Sequence, residues 1–187
     1  MRDEEFIKHI LARGIEAHEM VLESFRDLSS EQFNWKPSPT TWSMAQCLEH
    51  LVISDSAYFP VFQKIADEKF AMSFWERYSP FTRLFGYALR NQLEETGKRK
   101  MRTAKMLVPG YSDKSIDYVE NYIANLNQFL EHISNCRNAD LDKTTIASPI
   151  IGFVTYSLRD AFQFLIQHEH RHINQAQRVK SAPGFPG

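Results

Sequence analysis

The chain reads as an all-α protein, a four-helix bundle, and three observations carry that reading. Four segments of helical length repeat apolar residues at three-and-four spacing. Connections bearing proline, serine or glycine separate them. A length of 187 residues suits one domain, residues 1–187, with a substantial core. The connection between the second and third segments, 70–111, is far longer than an antiparallel hairpin needs. Those two helices are therefore expected to run parallel, joined by a long crossover.

The first helix is expected from about Asp3 to Asp27, with Ile7, Leu11, Gly14, His18, Val21, Phe25 and Leu28 as its inward stripe. Acidic residues at its start suit the positive end of the helix dipole. Pro37 and Pro39 forbid continuous helix in the connection Leu28–Thr41. The second helix begins near Ser43, where Ser43-x-x-Gln46 has capping-box form and Trp42 precedes it as a staple residue. It is expected to continue to about Lys69 on a stripe of Leu48, Leu51, Val52, Phe59, Phe62, Ile65 and Ala66. Aromatic residues then crowd Phe70–Tyr87. Packing of these rings onto the bundle is preferred over a lid or docking surface, because aromatic side chains dominate cores. The third helix is expected from about Asp113 to Cys136 behind a Ser112 cap, with Ile116, Val119, Ile123, Leu126, Leu130 and Ile133 as its seam. After a connection over 138–155, Ser157-x-x-Asp160 caps a fourth helix that ends near Lys180. Leu158, Leu165, His172 and Val179 mark its stripe.

Composition excludes several classes of function. Net charge is −1, with 43% hydrophobic and 24% charged residues, so neither nucleic acid nor an anionic membrane is an expected partner. The basic run Lys98, Arg99, Lys100, Arg102 and Lys105 has no interleaved aromatics and reads as a solvated face. Two distant cysteines, Cys47 and Cys136, form no disulfide framework, and the N-terminus lacks the apolar run of a secretory signal. A cytoplasmic protein is expected.

Histidine placement carries the chemical signal. His168 and His172 lie four residues apart, roughly 6 Å along a helix axis, so two imidazoles can share one metal ion. The same pair also arises on ordinary surface helices. His170 falls about 200° round from His168 and is expected in solvent. His50 shares a stripe with the small residues Cys47, Ser54 and Ala57, which suits either a pocket wall or a close helix contact. His18 is expected as a hydrogen-bonded core residue, with pocket lining as the alternative.

Two segments together resemble the DinB/YfiT-like metalloenzyme superfamily. WSMAQCLEHL, residues 42–51, is similar to its first motif, and HEHRHINQAQRV, residues 168–179, to its second. The resemblance implies an up-down-down-up bundle, frequently a homodimer. It also implies one divalent transition metal, zinc or nickel foremost, held by His50, His168 and His172. Relatives of that kind include bacillithiol- or mycothiol-dependent transferases and metal-dependent hydrolases, so a small-molecule substrate, in some cases a low-molecular-weight thiol, is implied.

Three imidazoles leave coordination positions open, as catalytic sites do. An open position can lower the pKa of water to about 7 for hydrolysis, or deprotonate a thiol for S-transfer. Hydrolysis needs a general base in reach. Glu49 and Glu169 adjoin ligands in sequence but face about 100° away, so each is expected to support the site from behind or to be solvated. Gln175 lies on the side that could hold a ligand or substrate group. No residue is assigned as catalytic. The competing class is a non-catalytic helical binding or stress-response module.

Overall fold

The computed structural model describes residues 2–92 and 103–187. It is predominantly helical. Helix α1 (Asp3–Phe25) is followed by a short α2 (Ser30–Asn34), then α3 (Met44–Ser56) and α4 (Phe59–Ala66). Two more helices, α5 (Phe74–Tyr78) and α6 (Thr82–Gln92), lie in the crossover, and α7 (Tyr118–Asn135) and α8 (Leu158–Lys180) complete the chain. Both α1 and α3 pack against both α7 and α8, so these four helices enclose one hydrophobic core. No helix among the described residues is long and apolar enough to cross a membrane.

Helix α1 opens on Asp3, Glu4 and Glu5, whose charges oppose the positive end of its dipole. Its buried face is Phe6, Ile7, Ile10, Gly14, Ala17, Val21 and Phe25. His18 therefore leaves the core that the sequence placed it in. It is half-buried, because Ile10 and Ala17, not Leu11 and His18, turn fully inward. At Gly14 a Cβ would stand 2.3 Å from Leu130 Cδ2, so the missing side chain is what lets α1 and α7 approach there.

The expected single helix over 43–69 is two. Pro60 lacks a backbone donor, and in a continuous helix its ring would meet the carbonyl of Ser56. Accordingly α3 stops at Ser56 and α4 restarts with proline in its first turn. The N-terminus of α3 is secured as expected. Ser43 Oγ accepts from Gln46 N at 3.1 Å, and Gln46 Oε1 accepts from Ser43 N at 3.2 Å.

Ser112 caps no helix. Its hydroxyl donates to Ser43 Oγ at 2.5 Å and to the Asn34 carbonyl at 2.9 Å, and α7 starts six residues later, at Tyr118. The buried seam of α7 is Val119, Tyr122, Leu126, Phe129 and Ile133, rotated from the expected one because two aromatic rings turn inward. The connection before α8 contains an antiparallel ribbon, β1 (Thr145–Ala147) and β2 (Thr155–Ser157). Ile146 pairs with Tyr156 at its centre. The ribbon delivers Ser157 to the start of α8, where its Oγ accepts from Asp160 N at 3.1 Å.

Phe70 packs against the core as expected, but most aromatic rings of the crossover do not. Phe74 is 80% exposed, and Trp75, Tyr78, Phe81 and Tyr87 are exposed as well. The reason is the face by which these helices are anchored. A Cβ on Gly86 would fall 2.1 Å from Asp160 Oδ2, Thr82 and Thr155 hydroxyls pair at 2.9 Å, and the Trp75 indole donates to the Phe153 carbonyl at 2.9 Å. Small and polar groups face inward, which leaves the rings outside. Of the basic run, Lys98, Arg99, Lys100 and Arg102 lie outside the described residues.

The cap at Ser43 gives a direct test of how the segment carrying His50 is held. Ser43→Ala removes the acceptor for Gln46 N and Ser112 and should cost about 1–2 kcal/mol. Urea unfolding would show this as a lower midpoint at unchanged slope; an unmoved midpoint would mean the cap contributes nothing.

Candidate metal centre

Three histidines from two helices meet at one place. His50 on α3 and His168 and His172 on α8 are all buried, at 3%, 8% and 9% exposure, and one ligand nitrogen from each lies within 4.8 Å of the others. The heptad stripe Leu158, Leu165, His172 and Val179 is buried throughout, which sets the roll of α8 and turns His168 and His172 to α3. His50 Nε2 and His168 Nε2 stand 3.1 Å apart. Two nitrogens on one tetrahedral ion with bonds of about 2.0–2.1 Å lie about 3.3 Å apart, so the spacing fits a shared ion.

The tautomer of His50 is fixed. Its Nδ1 sits 2.7 Å from the Leu107 carbonyl, which can only accept, so Nδ1 carries the hydrogen and Nε2 presents its lone pair to the other rings. Leu107 belongs to a single 3-10 turn, Lys105–Leu107, strapped onto α3 by further bonds. Gln46 Nε2 donates to the Gly110 carbonyl at 2.8 Å, Gly110 N donates to Glu49 Oε2 at 2.9 Å, and Lys114 Nζ lies 3.1 Å from Glu49 Oε1. Glu49 is thus neither free nor a base; it fastens the end of the crossover beside the site. The Trp42 ring rests on His50 at 4.9 Å and on His172 at 5.8 Å, and Phe164 stacks on His168 at 5.8 Å.

All three rings are held neutral. Burial pushes His50 below its ordinary value, against the Leu107 bond, which acts to raise it. His168 lies well below, through burial first and then the neighbouring His172, His50 and Arg171. His172 falls to about 3 through burial, His50 and Arg171, with Gln175 opposing and Arg178 adding a smaller push. Neutral imidazoles are the form that binds metal. The Nδ1 atoms of His168 and His172 are buried without a hydrogen-bond partner.

Glu169 is not solvated. It is fully buried and accepts from the Tyr122 hydroxyl at 2.5 Å. Facing it is Asp55, also fully buried, whose two oxygens meet no donor. Burial, then the charge of Glu169, drives the Asp55 carboxyl well above the ordinary carboxylate range, while burial lifts Glu169 to about 7 against hydrogen bonds from Tyr122 and Asp55. Burial and the neighbouring Glu169 thus favour the protonated form of Asp55. This acid pair is a separate layer, and among the described residues no carboxylate oxygen joins the three imidazoles.

The other histidines stand apart. His170 is 2% exposed, not in solvent: its Nε2 lies 3.0 Å from the Arg13 carbonyl on α1. The face of α8 opposite α3 is covered by α1, which a 200° rotation alone does not reveal. Among the described residues, His18 joins no group of candidate metal ligands. Both cysteines are free and buried, and burial pushes each thiol up to about 12.

The acid pair makes a pH prediction. Two carboxyls whose folded pKa values are raised contribute stability below their unfolded values, and this is lost as pH rises through about 7. Asp55→Asn removes one member, so it should gain on the parent by on the order of 1 kcal/mol between about pH 5 and pH 8. Paired thermal melts across that range check it, and a difference that stays flat with pH would refute the shared proton.

A family model described as the DinB superfamily matches residues 15–176 of the chain. Searches of curated proteins and of solved structures returned no match.

Proposed function

The chain belongs to the DinB superfamily, and from that premise we propose that it is a metal-dependent enzyme that passes a small-molecule thiol to an acceptor. His50, His168 and His172 hold one divalent transition ion, zinc or nickel, in a cytoplasmic homodimer. The observation that supports this reading best is the convergence of three buried neutral imidazoles with no carboxylate among them.

When bound, such an ion supplies an open position at which a thiol loses its proton without a separate base. Water activation, the hydrolytic alternative, works best with a base in hydrogen-bond reach. Glu49 is taken up by Gly110 and Lys114, and Glu169 by Tyr122 and Asp55. The sulfur comes from the small molecule, since Cys47 and Cys136 are buried and held as thiols. The chain's own residues do the positioning. Leu107 holds His50 in one tautomer, Trp42 and Phe164 fix the ring planes and keep the site dry, and Gln175 steadies His172. Arg171 and Arg178 add positive charge that favours an anionic sulfur.

Two measurements test this. Elemental analysis of protein purified without chelator or metal-affinity tag should find about one ion per chain, and His50→Ala, His168→Ala and His172→Ala should each lose it; full occupancy in any of them refutes the ligand set. Metal-loaded protein should then turn over in a thiol-transfer screen and stay silent in a hydrolase screen. The reverse pattern would move the assignment to hydrolysis, and silence in both with metal bound would favour a non-catalytic binding module.

A further inference from the structure

The outward faces of α5 and α6 gather exposed rings and unpaired cations. On α5 the Phe74 and Tyr78 rings pair at 4.9 Å, and Arg77 lies on the same side of the helix. From the start of α6, exposed Phe81, Leu84 and Tyr87 recur every three residues, opposite the Thr82 and Gly86 positions that face Thr155 and Asp160. Arg83 falls between the inward and outward sets, at the rim. Tyr78 and Phe81 are three residues apart, so the chain itself holds the two groups of rings within about 11 Å. The Trp75 indole bond to the Phe153 carbonyl brings a third exposed ring, Phe153, to the edge of the patch.

The charges on this face have one sign. Across 70–88 and the ribbon loop 148–154 the sequence holds a single acid, Glu76. Both its oxygens are taken by backbone amides, those of Ser73 at 2.8 Å and Ala147 at 2.9 Å. Arg77 and Arg83 are exposed, and no hydrogen bond or ion pair holds either among the described residues. The whole-chain charge of −1, from which no anionic membrane was expected, averages over this local balance.

We propose that the outward face of α5 and α6 docks on the anionic surface of a lipid bilayer. Tyrosine and tryptophan rings suit the boundary between acyl chains and headgroups, where the ring meets hydrocarbon and its polar tip stays wet. Arginines at the rim reach up to lipid phosphates while their stems stay among the rings. The protein lies on the membrane by this face and does not span it. A second copy fits the face poorly, because an isologous contact would set Arg77 and Arg83 of both copies together with no acid to receive them. An acidic protein would have to offer acceptors at fixed points for both guanidiniums and for the Tyr78 and Tyr87 hydroxyls; a headgroup layer offers them everywhere.

Flotation of the full-length protein with vesicles tests this. The parent should float with equimolar phosphatidylcholine and phosphatidylglycerol at least about tenfold more than with phosphatidylcholine alone, and less at high salt. Phe74→Ser with Leu84→Ser should lose the binding, and Arg77→Gln with Arg83→Gln should lose the preference for anionic vesicles. Ile15→Ser, at an exposed apolar residue on α1, should float like the parent. Thermal melts confirm that each variant is folded. Should the ring variant melt early, quenching of tryptophan emission by brominated phosphatidylglycerol decides, strong in the parent and weaker in Trp75→Phe. A ring variant that floats like the parent, or emission untouched by brominated lipid, overturns the proposal. A parent that floats with neither vesicle overturns it too, and a dimer that the ring variant then loses would assign the face to a second copy.

Discussion

The packing of α3 along α8 is the constraint on which the rest of this structure depends. Neither helix alone presents more than a histidine or a histidine pair. Their seam brings His50 into line with His168 and His172, and it does so twice over. One layer of the seam is the imidazole cluster; another is Asp55 against Glu169, closed by Tyr122 from α7. Both layers bury groups that would ordinarily be charged, and both solve the problem by neutrality. The imidazoles are held unprotonated, and the acid pair retains a proton. A buried unpaired charge would cost several kcal/mol, so a seam that keeps its polar groups neutral is one that can remain closed.

Much of this was legible in the residues. The capping patterns at Ser43 and Ser157 fixed the starts of α3 and α8, because a hydroxyl followed at the third helical position by an acceptor has a local cause. Heptad spacing through Leu158, Leu165, His172 and Val179 fixed the face of α8. The family resemblance put His50 with the pair, and the fold brings the three together. Other features were illegible for physical reasons. A backbone carbonyl such as that of Leu107 leaves no side-chain signature. His170 was misplaced because the face it occupies is covered by a helix from the other end of the chain. The acid pair could not be foreseen, since nothing in the sequence marks Asp55 as the buried partner of Glu169 until α3, α7 and α8 are packed together. Pro60 was legible and was passed over: the apolar stripe on either side concealed the break between α3 and α4.

The crossover carries two unlike parts. Its first part sets aromatic rings outward from α5 and α6, anchored by small and polar groups. Its last part, 105–114, is tied to α3 through Gln46, Glu49 and His50, three residues within a span of five. One helical face thus fastens the strap and supplies one of the three clustered imidazoles, so displacement of the strap would be felt first at the His50 ring.

Trp42 brings one more consequence. An indole stacked on His172 and tilted against His50 is close enough to exchange energy with an ion held at those rings. Arrival of an ion with a partly filled d shell would dim its emission, whereas a closed-shell ion would leave it bright. The Trp42 emission would therefore distinguish an open-shell ion at the three imidazoles from a closed-shell one, without label or substrate.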